Sequence, residues 1–159
     1  MNEDLLLKYN QDDIMDASNK IYSRFDIPKS TMLNINFVPN VLSSLCSMEI
    51  EELKDVYVSY EGIALVIVTC NSQDEIDKWK VDNDIPNFWY VFSDFDRDLC
   101  RSFLVLNEEY DIPERLTCLV DNGIIKWIYQ TSIEEKRDMT HSNRLNAEMV
   151  EHYLKKTQD

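Results

Sequence analysis

Glycine is scarce in this sequence, with two residues among 159, at positions 62 and 123. A nucleotide-binding loop of the G-x-G-x-x-G or G-x-x-x-x-G-K-[ST] type needs several glycines within a few positions, because the backbone must turn tightly around the phosphates. Two isolated glycines cannot supply such a loop. The composition therefore excludes a glycine-rich phosphate-binding site, and we expect no nucleotide cofactor.

Positive charge is also in short supply. The chain has 16 Lys and Arg residues against 30 Asp and Glu residues, which gives a formal net charge of −14 at pH 7. A protein that binds nucleic acid through its surface needs a basic face, so we expect no nucleic-acid partner. An acidic mimic of nucleic acid is an alternative explanation of this charge, although acidic surfaces usually serve solubility.

Paired cysteines and long apolar runs are missing as well. The four cysteines, at 46, 70, 100 and 118, form no C-x-x-C motif, which disfavours a zinc site and a thioredoxin-like dithiol. No apolar run approaches the ~20 residues of a membrane span. The first residues, MNEDLLLKYNQDD, lack the layout of a signal peptide. We therefore expect a cytoplasmic protein with reduced cysteines, no metal and no membrane association.

The spacing of the apolar residues predicts alternating strands and helices. With 159 residues, 44% of them hydrophobic, the chain can form the core of one globular domain. The spacing predicts one or two helices within residues 3–25 and further helices at 44–60, 72–83, 96–106 and 142–156. The predicted strands are 32–37, 62–70, 87–94 and a hairpin at 115–129 around Asn122-Gly123. Alternating strands and helices imply parallel pairing through right-handed crossovers. We predict a thioredoxin-like α/β domain at 28–159, with a mixed central sheet flanked by helices, after a helical extension at 1–27.

The stretch FVPNVLSSLC, residues 37–46, lies where the first predicted strand turns into a helix. This places Cys46 in the first helical turn, where the helix dipole and free backbone N–H groups favour the thiolate. A thiolate is the reactive form of cysteine. The alternative is that Cys46 is a small buried apolar residue, as most isolated free cysteines are.

The spacing of Pro39, Ser43 and Cys46 matches P-x-x-x-[Thr/Ser]-x-x-C, the active-site motif of peroxiredoxins. Glu49 matches an acidic position three residues further on, and Arg115 in ERLTCLVDNGIIKW matches the family's second essential residue. Over roughly residues 32 to 130 the sequence resembles this family, the alkyl hydroperoxide reductase and thiol-specific antioxidant group.

The resemblance implies a role for each of these residues. Cys46 would attack the peroxide and become a sulfenic acid, while Arg115 would donate hydrogen bonds to thiolate and peroxide. Ser43 would hydrogen-bond the peroxide, Pro39 would shield the thiolate from water, and Glu49 would orient Arg115. The resemblance also implies a hydroperoxide substrate, an external thiol or thioredoxin-like reductant, and a homodimer.

Several features depart from the family pattern, and two of them bear most on the reaction. The family's N-terminal β-hairpin is missing, and residues 1–27 stand in its place. No cysteine occupies a usual resolving position: Cys70 and Cys118 fall in predicted strands, and Cys100, on a short helix, is the one candidate. We therefore expect a one-cysteine peroxidase. The alternative is a non-catalytic thioredoxin-fold interaction module derived from a peroxiredoxin.

Overall fold

The computed structural model of the protein describes residues 8–42 and 62–131. The helices are α1 (Gln11–Phe25), α2 (Gln73–Asp82) and α3 (Asp98–Ser102). The strands are β1 (Met32–Phe37), β2 (Ile63–Thr69), β3 (Tyr90–Ser93), β4 (Leu106–Asn107), β5 (Ile112–Pro113), β6 (Arg115–Asp121) and β7 (Ile124–Thr131). The predicted helices at 44–60 and 142–156 lie outside the described residues.

Five strands form one mixed sheet in the order β3-β2-β1-β6-β7. β1, β2 and β3 are parallel, as their alternation with helices predicts. β6 pairs antiparallel with both β1 and β7. β2 is buried along its whole length, since parallel strands near the middle of a sheet are covered on both faces. This explains the continuous apolar sequence IALVIVT.

The sheet separates two apolar clusters. One contains the buried faces of α1 and α3 together with alternate residues of β1, β2 and β6. The other cluster contains Ile76 and Trp79 of α2. It also contains the strand residues on the opposite face of the sheet, such as Leu65 and Leu119. The described elements therefore form three layers, with α1 and α3 on one face of the sheet and α2 on the other.

Helix α1 packs on one face of the sheet. Its buried residues include Ile14, Ala17 and Ile21, three and four positions apart, which form one stripe that joins the first cluster. The side chain of Asn10 caps the helix by accepting the backbone N–H of Asp13 at 3.1 Å. The division of the chain at residue 27 remains a prediction.

Local sequence signals determine several other boundaries. Ser72 and Glu75 form a reciprocal capping box at the start of α2. Asn122 and Gly123 have φ angles of 50° and 80°, which suit the tight turn predicted between β6 and β7. The short pair of strands β4 and β5 was not predicted, because two-residue strands carry no periodicity.

The turn at Gly123 gives a prediction for stability. A Cβ added to Gly123 would lie 2.5 Å from the Sδ atom of Met15 and 3.3 Å from its Cα, at a φ of +80°. Gly62 is the matched control, because it has a φ of +82° and nothing within 4 Å of the added Cβ. We expect Gly123→Ala to lower the free energy of unfolding by about 1 kcal/mol more than Gly62→Ala does, because the flexible end of the Met15 side chain must shift to admit the added methyl group. Urea denaturation measures both, and equal losses would contradict the steric argument.

Candidate active site

The carboxyl ends of the three parallel strands meet at one edge of the sheet, and the predicted site residues Pro39 and Arg115 both lie there. Phe37, the last residue of β1, pairs with Leu116 of β6. Pro39 follows Phe37 by two residues, and Arg115 precedes Leu116 by one. Antiparallel pairing of β1 with β6 therefore brings together two motif positions that are far apart in sequence. Ser43, Cys46 and Glu49 lie outside the described residues.

Pro39 is buried at the point where β1 stops pairing. The backbone N–H of Val38 still donates to the carbonyl of Val68 at 3.0 Å, which extends the parallel ladder by one hydrogen bond. Proline has no backbone N–H and cannot continue a ladder. Asn40 beyond it is exposed, while Val41 is buried again. The chain thus leaves the sheet at Pro39, which precedes Ser43 by four positions and Cys46 by seven in the sequence.

Arg115 is partly exposed and is the first residue of β6. Strand alternation puts it on the same face as Thr117, whose hydroxyl donates to Oδ1 of Asn36 at 3.0 Å. Asn36 is buried, and its amide donates to both oxygens of Asn34 at 3.2 Å and to the carbonyl of Val66 at 3.3 Å. A largely buried polar network therefore lies on the face of the sheet to which strand alternation assigns Arg115.

Asn71 is a residue of this edge that the sequence analysis missed. Its Oδ1 accepts the backbone N–H of Val41 at 3.1 Å and the hydroxyl of Thr69 at 2.6 Å. Its amide donates to Oδ1 of Asn40 at 3.0 Å, and that oxygen also accepts the N–H of Leu42 at 2.9 Å. Asn71 therefore anchors the loop that leads to Ser43 and Cys46. The sequence feature that could have identified Asn71 is its position shortly after a predicted buried strand, because polar side chains at the carboxyl ends of parallel strands often line a site.

A second group of reactive side chains lies at the same edge. Cys70, the residue after β2, and Cys100 of α3 have their Sγ atoms 3.7 Å apart, and both are buried. The hydrogen bond from Cys100 lowers the pKa of the Cys70 thiol, and the same bond raises the pKa of Cys100. Cys118 lies in β6, and full burial raises the pKa of its thiol. Cys70 and Cys118 are thus both core residues, and Cys70 in addition has a thiol neighbour.

In the described part of the chain, one group of side chains around Cys70 resembles a set of metal ligands. One ligand atom each from Cys70, Asp94 and Cys100 lies within 4.8 Å of the others. Both carboxylate oxygens of Asp94, however, accept backbone N–H groups, from Leu99 at 3.0 Å and from Cys100 at 2.8 Å. A structural zinc site takes four ligands. With Asp94 occupied in this way, the group does not fit a closed zinc site.

The described elements have the thioredoxin-like fold: a mixed sheet with parallel strands at one side, an antiparallel hairpin at the other and helices on both faces. Residues 7–128 match the AhpC/TSA family. Since the match covers most of the sequence, the chain belongs to this family. It is accordingly a thiol peroxidase of the peroxiredoxin type, an oxidoreductase that takes electrons from thiols.

Solved structures show the same fold. AhpC of Mycobacterium tuberculosis superimposes with a TM-score of 0.62 at 22% identity, over 79% of this chain and 76% of its own. AhpC of Enterococcus faecalis superimposes with a TM-score of 0.64 at 19% identity, over 81% of this chain and 79% of its own. The C47S mutant of Xylella fastidiosa PrxQ gives 0.65 at 17% identity, over 79% of each chain. Comparison with the curated proteins gives no significant match.

Within residues 8–42 and 62–131, none of the helices has the length and apolar character needed to cross a membrane.

Proposed function

We propose that this protein reduces hydrogen peroxide or organic hydroperoxides through Cys46, in a one-cysteine cycle completed by an external thiol. The observation that carries the proposal is that Pro39, seven positions before Cys46 in the sequence, lies at the same edge of the sheet as Arg115. A cysteine held in that segment would have the arginine of β6 within the same site. Membership of the AhpC/TSA family supports this enzymatic function over the non-catalytic interaction module.

The first half of the cycle is a nucleophilic displacement at oxygen. The Cys46 thiolate attacks one peroxide oxygen, an S–O bond forms and the O–O bond breaks. The alkoxide or hydroxide that leaves takes up a proton, and the cysteine becomes a sulfenic acid. A thiol with a pKa of ~8.5 is about 3% thiolate at pH 7, so complete ionisation would raise the rate only about thirtyfold. Most of the acceleration must therefore come from stabilising the transition state.

Arg115 would supply that stabilisation. Negative charge grows on the departing oxygen as the O–O bond lengthens, and a guanidinium offers several N–H donors in a fixed plane. We assign Ser43 a hydrogen bond to the peroxide and Glu49 the orientation of Arg115. Pro39, already buried and without an N–H, would exclude water beside the thiolate.

The second half of the cycle returns the sulfenic acid to the thiol. One molecule of external thiol attacks the sulfenic sulfur, releases water and leaves a mixed disulfide, and a second molecule displaces Cys46 as its thiolate. We propose an external thiol because the one candidate resolving residue, Cys100, is fully buried against Cys70.

Reducing thiols are maintained in the cytosol, which supports a cytoplasmic location. We also propose a homodimer, to be measured by light scattering.

The product of one oxidation tests this cycle. One equivalent of hydrogen peroxide, added without reductant, should give a protein about 16 Da heavier, since a sulfenic acid carries one added oxygen. A sulfenic-acid reagent should label Cys46, and intact-mass spectrometry with peptide mapping measures both results. A prompt Cys46–Cys100 disulfide, about 2 Da lighter than the reduced protein, would instead mean that α3 opens and that the enzyme resolves itself.

A further inference from the structure

The Sγ atoms of Cys70, which follows β2, and of Cys100 in α3 lie 3.7 Å apart, in van der Waals contact. A disulfide bond requires ~2.05 Å between the sulfurs, so the two Sγ atoms would have to approach each other by about 1.7 Å. Thiol pairs that already touch are the ones that oxidise to disulfides without large movement of the backbone. The mechanism proposed for Cys46 makes no use of this pair.

Asp94 links the two segments that carry the cysteines. Its backbone N–H donates to the carbonyl of Thr69, the residue before Cys70, at 2.7 Å. Its carboxylate accepts the N–H of Cys100 at 2.8 Å and is completely buried. One residue therefore holds the end of β2 and the helix α3 together at both cysteines. The hydrogen bonds of Asp94 therefore help to hold the two sulfurs close together.

We infer that Cys70 and Cys100 form a second redox site, a buried dithiol that a hydroperoxide oxidises to an intramolecular disulfide. The order of reaction follows from burial. Cys70 is 6% exposed and Cys100 is completely buried, so we assign the first attack on the oxidant to Cys70. The direction of the pKa shifts agrees with this order, since Cys70 is the more readily ionised of the two thiols.

The reaction balances in two steps. The Cys70 thiolate attacks a peroxide oxygen, forms an S–O bond and releases the alcohol or water after protonation. The Cys100 sulfur then attacks the sulfur of Cys70, forms the S–S bond and expels the hydroxyl as water. Two thiols lose two electrons and two protons, and one hydroperoxide is reduced. Because both cysteines are buried, this oxidation is slow.

The disulfide would link Cys70, the neighbour of Asn71 in the sequence, to Cys100 of α3. Because Asn71 holds the loop at Asn40 and Val41 through its side chain, the bond would tie the anchor of that loop to α3. Oxidation of the dithiol would therefore stiffen the edge of the sheet beside the proposed active site.

The experiment uses the full chain with Cys46→Ser, so that its outcome does not depend on the proposed function of Cys46. Three cysteines remain. Folded protein is incubated with excess hydrogen peroxide and then alkylated in denaturant. We expect two of the three thiols to be lost, an intact mass about 2 Da lower before alkylation, and one linked peptide that joins Cys70 to Cys100. Dithiothreitol should reverse all three changes.

Two matched variants complete the test. Adding Cys118→Ser should leave the disulfide unchanged, because Cys118 is equally buried but belongs to no thiol pair in the described structure. Adding Cys100→Ser should abolish it and leave any oxidation as an oxygen adduct of Cys70. The inference is overturned if the thiols stay reduced in folded protein but oxidise after unfolding, or if Cys70 is found linked to Cys118.

Discussion

Replacing Cys46 with serine is expected to lower the steady-state rate of thiol-dependent peroxide consumption at least about hundredfold, a loss of ~2.7 kcal/mol in transition-state stabilisation. A serine hydroxyl is almost entirely un-ionised at neutral pH and cannot take the oxygen that the thiolate accepts. Residual oxidation of the Cys70–Cys100 pair would be slow because both sulfurs are buried. The rate is measured as loss of hydrogen peroxide with a small thiol as electron donor.

Cys118→Ser is the control for this variant. Cys118 is fully buried in β6, so its replacement puts a hydroxyl into an apolar cluster and should cost about 1–3 kcal/mol of stability while leaving the rate of folded protein unchanged. If the Cys46 variant kept the full rate, the peroxidase cycle proposed for Cys46 would have to be abandoned, and the catalytic thiol would be sought among the other cysteines.

Replacing Arg115 with lysine is expected to lower kcat/KM for hydroperoxide at least about tenfold, or ~1.4 kcal/mol. The charge is kept, but an ammonium is a compact point charge and cannot present the planar fork of donors to sulfur and peroxide together. Arg115 begins β6 beside the end of β1, so the substitution acts at the proposed site without altering an apolar core position. Stopped-flow measurement of the oxidation step would show the loss directly.

Arg101→Lys is the matched control for the arginine. Arg101 lies on α3 with 60% of its side chain exposed and a surface ion pair to Asp98 at 3.5 Å. Exposed pairs of this kind contribute ~0–1 kcal/mol, so this variant should react and melt like the wild type. An Arg115→Lys protein as fast as the Arg101→Lys protein would mean that Arg115 is only a surface charge.

Much of the fold follows from local patterns in the sequence. β1 covers the residues that its alternation predicts, and α2 begins at the Ser72 capping box. The Asn122-Gly123 turn joins β6 to β7 as expected, because these signals act within a few residues of one another. The predicted helix at 96–106 is shorter in the structure, Asp98–Ser102. Its end could not be predicted, since buried apolar residues continue past it through Phe103 and Val105.

The sequence by itself also determined the chemistry that the chain can offer: one cysteine in a peroxidase-like motif, one arginine in a distant motif and no phosphate-binding loop. Only the tertiary structure decided which of these groups meet. Arg115 reaches the edge near Pro39 because β6 pairs with β1 in one register, and Cys70 touches Cys100 because Asp94 joins β2 to α3. Such contacts depend on strand register and on the burial of whole faces, which act across the chain and leave no local pattern.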